Sequence, residues 1–222
     1  ESMASAAAPG EALARTSLQV GEMVQQQIDR ADNMRAEDAF NQLRQRQQQL
    51  TMGEGGFVHA KGADAVTKPL MQDYSQQFND ATEQIAQGLS TPRQKALFRQ
   101  RADVSSLQFR DDLLRHIVRE GDVYEEHTYK TSQQVEKNNV TSHYDQPDAV
   151  ALSMTRMEAL VDQRSKTQGW SKDQRDAELA QQLGDLHEGV IDQALANKKY
   201  VFAQEWFDKH KGEMDQQTLD RL

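Results

Sequence analysis

Histidines are the residues here best suited to chemistry, because imidazole transfers protons near neutral pH and binds metal ions. His116 and His127 are eleven residues apart, so on one helix they would share a face but lie about 16 Å apart, too far for one metal ion. His116 and Glu120 form an i, i+4 pair, which supplies two ligands where a metal site needs at least three. His187 and His210 fall on amphipathic helices and are expected to pack at helix interfaces. The histidines therefore predict no metal site.

Acidic pairs are the second candidates for chemistry. Asp111-Asp112 and Glu125-Glu126 are adjacent pairs, and adjacent carboxylates on an exposed helix point apart and are usually solvated. Paired carboxylates act as acid and base only in a cleft that separates their pKa values. No Gly-x-Ser-x-Gly, His-Glu-x-x-His or Walker motif occurs in the sequence. We therefore predict no catalytic, cofactor-binding or metal-binding residue, no cofactor, and a protein that is not an enzyme.

A glycine-rich stretch, Gly53-Glu54-Gly55-Gly56, resembles a phosphate-binding loop only superficially. Such a loop follows a buried strand and continues into Gly-Lys-Ser/Thr, whereas this stretch ends a helical pattern and continues into Phe57-Val58. Three glycines in four residues do not hold helical dihedral angles cheaply. The stretch is therefore predicted to be a turn between helices, with Phe57 and Val58 packed into the core.

Composition favours long helices over a compact globule. Hydrophobic residues make up 36% of the chain and aromatic residues 6%, which is below the apolar share of an ordinary globular domain. The apolar residues recur at helical spacing, so an elongated helical protein with a thin core explains the shortfall better than disorder does. Glutamine, alanine and leucine are good helix formers, and only four prolines interrupt the chain.

Charge and missing residue types argue against several functions. The formal net charge of −9 argues against binding to nucleic acid, which needs a basic surface, and no direct nucleic-acid site is evident. Because the sequence contains no cysteine, disulfides, thiolate chemistry and cysteine-based zinc sites are excluded. No apolar run approaches the roughly 20 residues of a transmembrane segment, and no secretory signal is visible.

Hydrophobic periodicity predicts three long helices before residue 145, over residues 11–52, 64–89 and 92–142. The third begins with a capping box in which Thr91-Pro92 is followed by Gln94. The apolar stripe of the first helix is expected to comprise Val20, Val24, Ile28, Ala31, Ala39, Phe40, Leu43 and Leu50.

The third helix is expected to pack through a heptad-like seam of the kind found in coiled coils. The seam comprises Leu97, Val104, Leu107, Leu114 and Val118, widened by Leu113 and Ile117. Gly121 is an interior weak point at which the helix could kink. Beyond it, residues 130–139 are very polar, which predicts either an exposed surface or a contact with a partner outside this chain.

Shorter helices separated by tight turns are predicted after Pro147. Gly169-Trp170 ends the first of them, and Ser171 with Gln174 forms the capping box of the next. Asp215 is expected to cap the last, from Gln216 to Leu222. The predicted fold class is all-α: an elongated bundle of long helices followed by a stack of shorter helical hairpins.

The predicted organisation has three parts. Residues 1–10 are a disordered tail or the edge of an expressed fragment, residues 11–145 form the bundle of long helices, and residues 146–222 form the domain of short helical hairpins. Whether that domain continues past Leu222 is left open. Both ends of the sequence suggest a piece of a longer protein.

Several short motifs carry a resemblance to a known family. Residues 56–66 read Gly-Phe-Val-His-Ala-Lys-Gly-Ala-Asp-Ala-Val and are followed by Tyr74. Gly88-Leu89-Ser90 and Arg93-Gln94-x-x-Leu97-Phe98 come next, and residues 148–151 and the hairpin 197–210 lie downstream. Together these motifs resemble a helical segment of the internal virion or DNA-ejection proteins of tailed bacteriophages.

The resemblance implies an oligomeric, helical virion component that is stored in the particle and ejected into the host cell envelope with or before the genome. Its partners would be further copies of itself and other virion proteins. Some proteins of this family carry a peptidoglycan-cleaving domain elsewhere in a longer chain.

The leading hypothesis is therefore a structural, self-assembling virion protein of a tailed phage, acting in the internal core or the genome-ejection apparatus. Two alternatives belong to other classes. One is a cellular helical adaptor whose C-terminal hairpins bind a protein partner. The other is a non-catalytic segment of a phage cell-wall-degrading protein.

Overall fold

A computed structural model describes residues 9–222 of the chain, with side chains from residue 17 onward. Of the tail predicted at residues 1–10, residues 1–8 lie outside the described residues, and Pro9 and Gly10 belong to the first helix. From residue 9 onward the elements are helices and short 3-10 turns without any strand, which confirms the all-α prediction. The helices are α1 (Pro9–Met52), α2 (Ala63–Thr67), α3 (Leu70–Gln87), α4 (Pro92–Ser142), α5 (Pro147–Gln168), α6 (Lys172–Ala196), α7 (Tyr200–His210) and α8 (Gln216–Arg221), with 3-10 turns at Phe57–His59 and Lys211–Glu213.

The chain divides into two compact units within α4. Unit 1 runs to Asp122 and contains α1, α2, α3 and the first part of α4. Unit 2 begins at Val123 and contains the rest of α4 together with α5 to α8. The boundary expected from the sequence lay near residue 145, after α4. The division falls earlier because the second part of α4 contacts α5 and α6 through its side chains.

Unit 1 is a three-helix bundle in which α1 and α4 run parallel and in contact, and α3 runs antiparallel to both. Asp29 pairs with Arg93 near the start of α4, and Gln47 accepts a hydrogen bond from Ser105 further along. The core is rich in aromatic rings. Phe78 stacks on Phe109 with ring centroids 4.9 Å apart, and these phenylalanines are fully buried.

The glycine-rich stretch after α1 is a turn, as predicted. Gly55 has a φ of +77°, which favours glycine, and a Cβ at Gly56 would lie 2.6 Å from the carbonyl oxygen of Thr51. Tyr74 donates a hydrogen bond to the carbonyl oxygen of Gly55. Phe57 is buried against Tyr74, with ring centroids 5.8 Å apart, so the turn is anchored in the core as expected.

The predicted capping box at the start of α4 is confirmed, and it contacts α1. The Thr91 hydroxyl accepts from the backbone N–H of Gln94, and the Gln94 side chain accepts from the N–H of Ser90. Gln94 Nε2 also donates to Asp32 on α1 over 2.8 Å, and Asp32 is buried. A local signal for the start of a helix is therefore also a tertiary contact.

The seam predicted for α4 is confirmed at Leu113, which is fully buried, but it is wrong for most of its residues. In unit 1 the buried face of α4 comprises Gln94, Phe98, Ala102, Ser105, Phe109, Leu113, His116 and Glu120. Leu97 and Ile117 pack partly against this core, whereas Val104, Leu107, Leu114 and Val118 face outward. α4 carries heptad-spaced apolar residues on two faces, and the face with the larger aromatic side chains is buried.

The apolar stripe predicted for α1 is also buried in one part and exposed in another. Ala39, Leu43 and Leu50 are buried as expected, whereas Val20, Val24 and Ile28 are exposed. A separate buried face begins at Asp32 and continues through Ala36, and Phe40 packs partly against the core.

α4 remains helical through Gly121, the interior weak point that the sequence predicts. A Cβ at this position would lie 3.1 Å from Cγ1 of Val66 on α2. The glycine therefore lets α2 approach α4 closely.

Unit 2 consists of α5 to α8 packed on the second part of α4. Gly169, with a φ of +64°, ends α5, and the Ser171 and Gln174 capping box begins α6 as predicted. Asp215 caps α8, also as predicted, by accepting from the N–H of Thr218. The core comprises Val140, Tyr144, Val150, Met157, Leu186, Val190, Ile191, Ala194, Ala203, Trp206 and Met214.

The polar segment 130–139 of α4 is a helix interface inside unit 2. Gln133 and Glu136 are buried, which corrects the expectation of an exposed surface at these two residues, whereas Lys130, Thr131, Gln134, Val135 and Asn138 are exposed as predicted. Lys137 Nζ lies 2.7 Å from Asp185 of α6. Glu178 of α6 accepts hydrogen bonds from Tyr129 (3.0 Å) and from Gln133 (3.4 Å). Polar groups can be buried here because they have partners: Gln133 donates to Glu178 of α6, and Glu136 accepts from Asn139 on its own helix and lies 3.9 Å from Arg156 of α5.

Candidate interaction surfaces

The first part of α1 carries an apolar stripe that no other described part of the chain covers. From residue 17 to residue 31, every side chain except Asp29 is exposed. Its apolar residues recur at three- and four-residue steps, which places them on one side of the helix. We call Val20, Met23, Val24, Ile28 and Ala31 the α1 stripe. The four larger side chains of the stripe are 48–59% exposed.

The outward face of α4 carries a second apolar surface in unit 1. We call Val104, Leu107, Leu114 and Val118, which are 50–69% exposed, the α4 outer seam. Their spacing of three, seven and four residues is that of heptad positions a, d, d and a. Asp111 occupies the a position between the two leucines and pairs with Arg115 on its own helix. The neighbouring Arg110 has no ion-pair partner among the residues that the structure describes.

A histidine cluster lies in unit 2, where α6 meets the end of α7. His187 is fully buried, and Trp206 Nε1 donates a hydrogen bond to its Nδ1 over 3.1 Å. Its Nε2 lies 3.2 Å from Glu213 Oε2. His210 stacks on His187 with ring centroids 4.8 Å apart, and its Nδ1 lies 3.3 Å from Glu213 Oε1. Both histidines lie at helix interfaces, where the sequence placed them.

The hydrogen bonds of His187 argue against a metal site in this cluster. Candidate ligand atoms of His187, His210 and Glu213 lie within 4.8 Å of one another, which is close enough for one ion. In neutral imidazole, however, one ring nitrogen carries the proton and the other accepts. Because Trp206 donates to Nδ1, the proton lies on Nε2, which then donates to Glu213 and has no lone pair for a metal. The cluster therefore fits a buried hydrogen-bonded pair better than a metal site.

Burial also controls the charge of His187. Desolvation, and then the neighbouring His210, lower the pKa of His187 to about 4, although Glu213 acts in the opposite direction. His187 is therefore neutral at pH 7. Nothing in the sequence pointed to this pairing, since Glu213 is 26 residues from His187 along the chain.

His116 and Glu120 have a structural role that differs from metal binding. His116 Nε2 donates to the carbonyl oxygen of Ala60 over 2.8 Å. The Glu120 carboxylate accepts from Lys61 Nζ and from the N–H of Gly62. Both hydrogen bonds lower the pKa of Glu120, and the bond from Lys61 has the larger effect. The i, i+4 pair thus fixes the segment between the first 3-10 turn and α2.

The acidic pairs also differ in their surroundings. Asp111 pairs with Arg115 at the surface, whereas Glu125 and Glu126 both contact Arg164 of α5 in unit 2. The sequence predicts that the second pair is solvated. Glu125 and Glu126 both pair with Arg164, whose side chain is only 12% exposed, because this part of α4 packs against α5. The distant arginine could not be inferred from the local pattern.

Clefts along α1 offer little for catalysis. One cleft of about 610 Å³ lies between α1 and α3, and half of its ten lining residues are glutamines; Asp80 is its one carboxylate and Arg46 its one cation among these residues. Amide side chains form hydrogen bonds but do not titrate, so they cannot act as general acids or bases at neutral pH.

No helix within residues 9–222 is long and apolar enough to cross a membrane. The exposed apolar residues of the α1 stripe and of the α4 outer seam make these two surfaces the features of unit 1 most suited to binding another macromolecule. No protein family, curated protein or solved structure matches this chain.

Proposed function

We propose that this chain is a structural, self-assembling virion protein of a tailed bacteriophage, acting in the internal core or the genome-ejection apparatus. The α1 stripe is the observation that carries self-assembly. It presents Val20, Met23, Val24 and Ile28 on one side of a helix that the residues described by the structure leave exposed over residues 17–31.

Helix physics supports a partner for this part of α1. A helical segment of about 15 residues is marginal in water when it lacks tertiary packing. Covering the stripe gains on the order of 25 cal/mol for each Å² of apolar surface removed from water. Helices of neighbouring copies would supply that cover through side-by-side packing.

The virion assignment is supported by the sequence resemblance in residues 56–98 and in the downstream hairpin 197–210. A stored and ejected component would have further copies and other virion proteins as its partners, and would be delivered into the host cell envelope. The formal net charge of −9 agrees with assembly through helices rather than through direct contact with nucleic acid.

Sedimentation velocity over a series of concentrations tests self-assembly. We expect the wild-type chain to form larger species as concentration rises, and the double variant Val24→Gln/Ile28→Gln to remain smaller at every concentration. Leu152→Gln/Val201→Gln is the matched control, because these apolar residues are also exposed but lie on α5 and α7. A wild-type chain that stays monomeric throughout would contradict self-assembly.

The origin of the protein is tested separately. We expect the coding gene to lie beside portal, capsid and tail genes, and antibodies against the chain to detect it in purified phage particles. A cellular gene neighbourhood, with a different protein bound to the α1 stripe, would instead favour the helical adaptor.

A further inference from the structure

The α4 outer seam can hold a second helix. Its four apolar residues follow heptad spacing, and the opposite face of α4 already packs against α1 and α3 through residues such as Phe109 and Leu113. From Val104 to Val118 the seam is about 21 Å long, or two heptads. Two free helices of this length would pair weakly, but α4 is already ordered by the bundle, so little ordering entropy is lost on docking.

We propose that the α4 outer seam binds the same seam of a second copy, with the two helices antiparallel. This inference rests on the proposed self-assembly and specifies one of its contacts. In the matching register, Leu107 of one copy faces Val118 of the other, and Asp111 faces Leu114. The interface has twofold symmetry, the commonest symmetry of protein dimers.

Charge decides the direction of the two helices. A parallel pair in register would place Asp111 against Asp111 of the second copy in the middle of the seam. It would also place Arg110, at a g position, against Arg115 of the second copy, at an e position. Antiparallel helices avoid both contacts between like charges. They bring Asp111 beside Arg115 of the second copy, so the seam complements itself only when reversed.

Charge also favours a second copy over other classes of partner. Arg110 and Arg115 flank Asp111 within one stripe, so the seam carries both signs of charge. An anionic membrane surface or a nucleic acid would select a stripe of uniformly positive charge. A helix with the same mixture of signs fits better, and the second copy supplies one.

Cysteine cross-linking tests the geometry directly, because the full chain contains no cysteine. We expect an equimolar mixture of Leu107→Cys and Val118→Cys chains to form disulfide dimers under mild oxidation in clear excess over either variant alone. Facing a and d positions come close enough for a disulfide. Leu152→Cys, on α5 and 50% exposed, measures random collision. Equal self-linking of Val104→Cys or Leu107→Cys alone, or no excess over Leu152→Cys, would overturn the proposal.

Sedimentation of Leu107→Gln/Leu114→Gln separates this inference from the proposed function. We expect self-association to weaken by at least about tenfold, because each copy loses two apolar side chains from the interface. If this variant associates as the wild type does while Val24→Gln/Ile28→Gln does not, the seam proposal is wrong and self-assembly stands. If the wild type remains monomeric, both are wrong. Binding of the seam to anionic lipid vesicles without any cross-link would assign it to a membrane and overturn the proposal.

Discussion

His187 shows how one side chain can couple stability to pH. It is enclosed between Trp206, which donates to Nδ1, and Glu213, which accepts from Nε2. Adding a proton would break the hydrogen bond from Trp206 and place a charge in the core of unit 2 beside His210. The folded protein therefore resists protonation at this position, whereas the unfolded chain does not.

The pH dependence of stability follows from this difference. The pKa of His187 is about 4 in the folded protein and near its ordinary value of 6.5 in the unfolded chain. Below pH 6.5 the unfolded chain binds the proton more readily, so the free energy of unfolding falls as pH decreases from 6.5 towards 4. The full effect is on the order of 3 kcal/mol, and it is absent above pH 7.

Urea unfolding monitored at steps from pH 7.5 to 5 measures this slope. We expect His187→Gln to flatten it, because glutamine accepts from Trp206 without titrating. If His187→Gln and the wild type lose stability in parallel over this range, another group causes the pH dependence. Working above pH 5 limits the contribution from carboxylates.

At the scale of elements, two glycines of α6 have opposite environments. A Cβ at Gly184 would lie 2.6 Å from Oγ1 of Thr218, which is fully buried on α8. A Cβ at Gly189 would meet nothing closer than Thr141 Oγ1, at an ordinary 3.6 Å. The first glycine lets α8 pack on α6, whereas the second only weakens the helix.

Alanine substitutions distinguish these two roles. We expect Gly184→Ala to destabilise the protein by about 1–3 kcal/mol because α8 must move. Gly189→Ala should stabilise it by up to about 1 kcal/mol through helix propensity alone. Thermal unfolding followed by circular dichroism measures both. Equal effects of the two substitutions would show that Gly184 does not control the packing of α8.

The sequence predicted elements better than it predicted their faces. The capping boxes at Thr91 and Ser171 could be read directly, because a cap depends on residues three apart. The buried face of α4 could not, since Val104 and Phe109 fit helical spacing equally well and tertiary packing chooses between them. Likewise Gln133 looked solvated because Glu178 lies 45 residues away. The pairing of His187 with Glu213 left no local signal either.

At the scale of the whole molecule, buried and exposed apolar residues should have separable roles. Leu43 is fully buried in the core of unit 1, whereas Val24 and Ile28 are about half exposed. Core packing governs the free energy of unfolding of the chain itself. The α1 stripe should govern association between chains.

A comparison of two variants tests this separation. We expect Leu43→Ala to lower the free energy of unfolding by about 2–5 kcal/mol. Val24→Gln/Ile28→Gln should leave it nearly unchanged at dilute concentration while reducing the species seen in sedimentation. Chemical unfolding at low protein concentration checks the first quantity. A large loss of stability in the stripe variant at that concentration would mean that residues 17–31 are packed within the chain.

The buried polar interface of α4 in unit 2 has a consequence for alternative packings. Two apolar helix surfaces can shift along each other at little cost in free energy. Hydrogen bonds across the interface are lost by such a shift, because each needs a particular pair of residues. A slip of one turn between α4 and α6 would separate Lys137 from Asp185 and Gln133 from Glu178, and would leave the buried amide of Gln133 without its partner. We therefore expect this polar interface to destabilise packings that are shifted along the helix more than it stabilises the native packing.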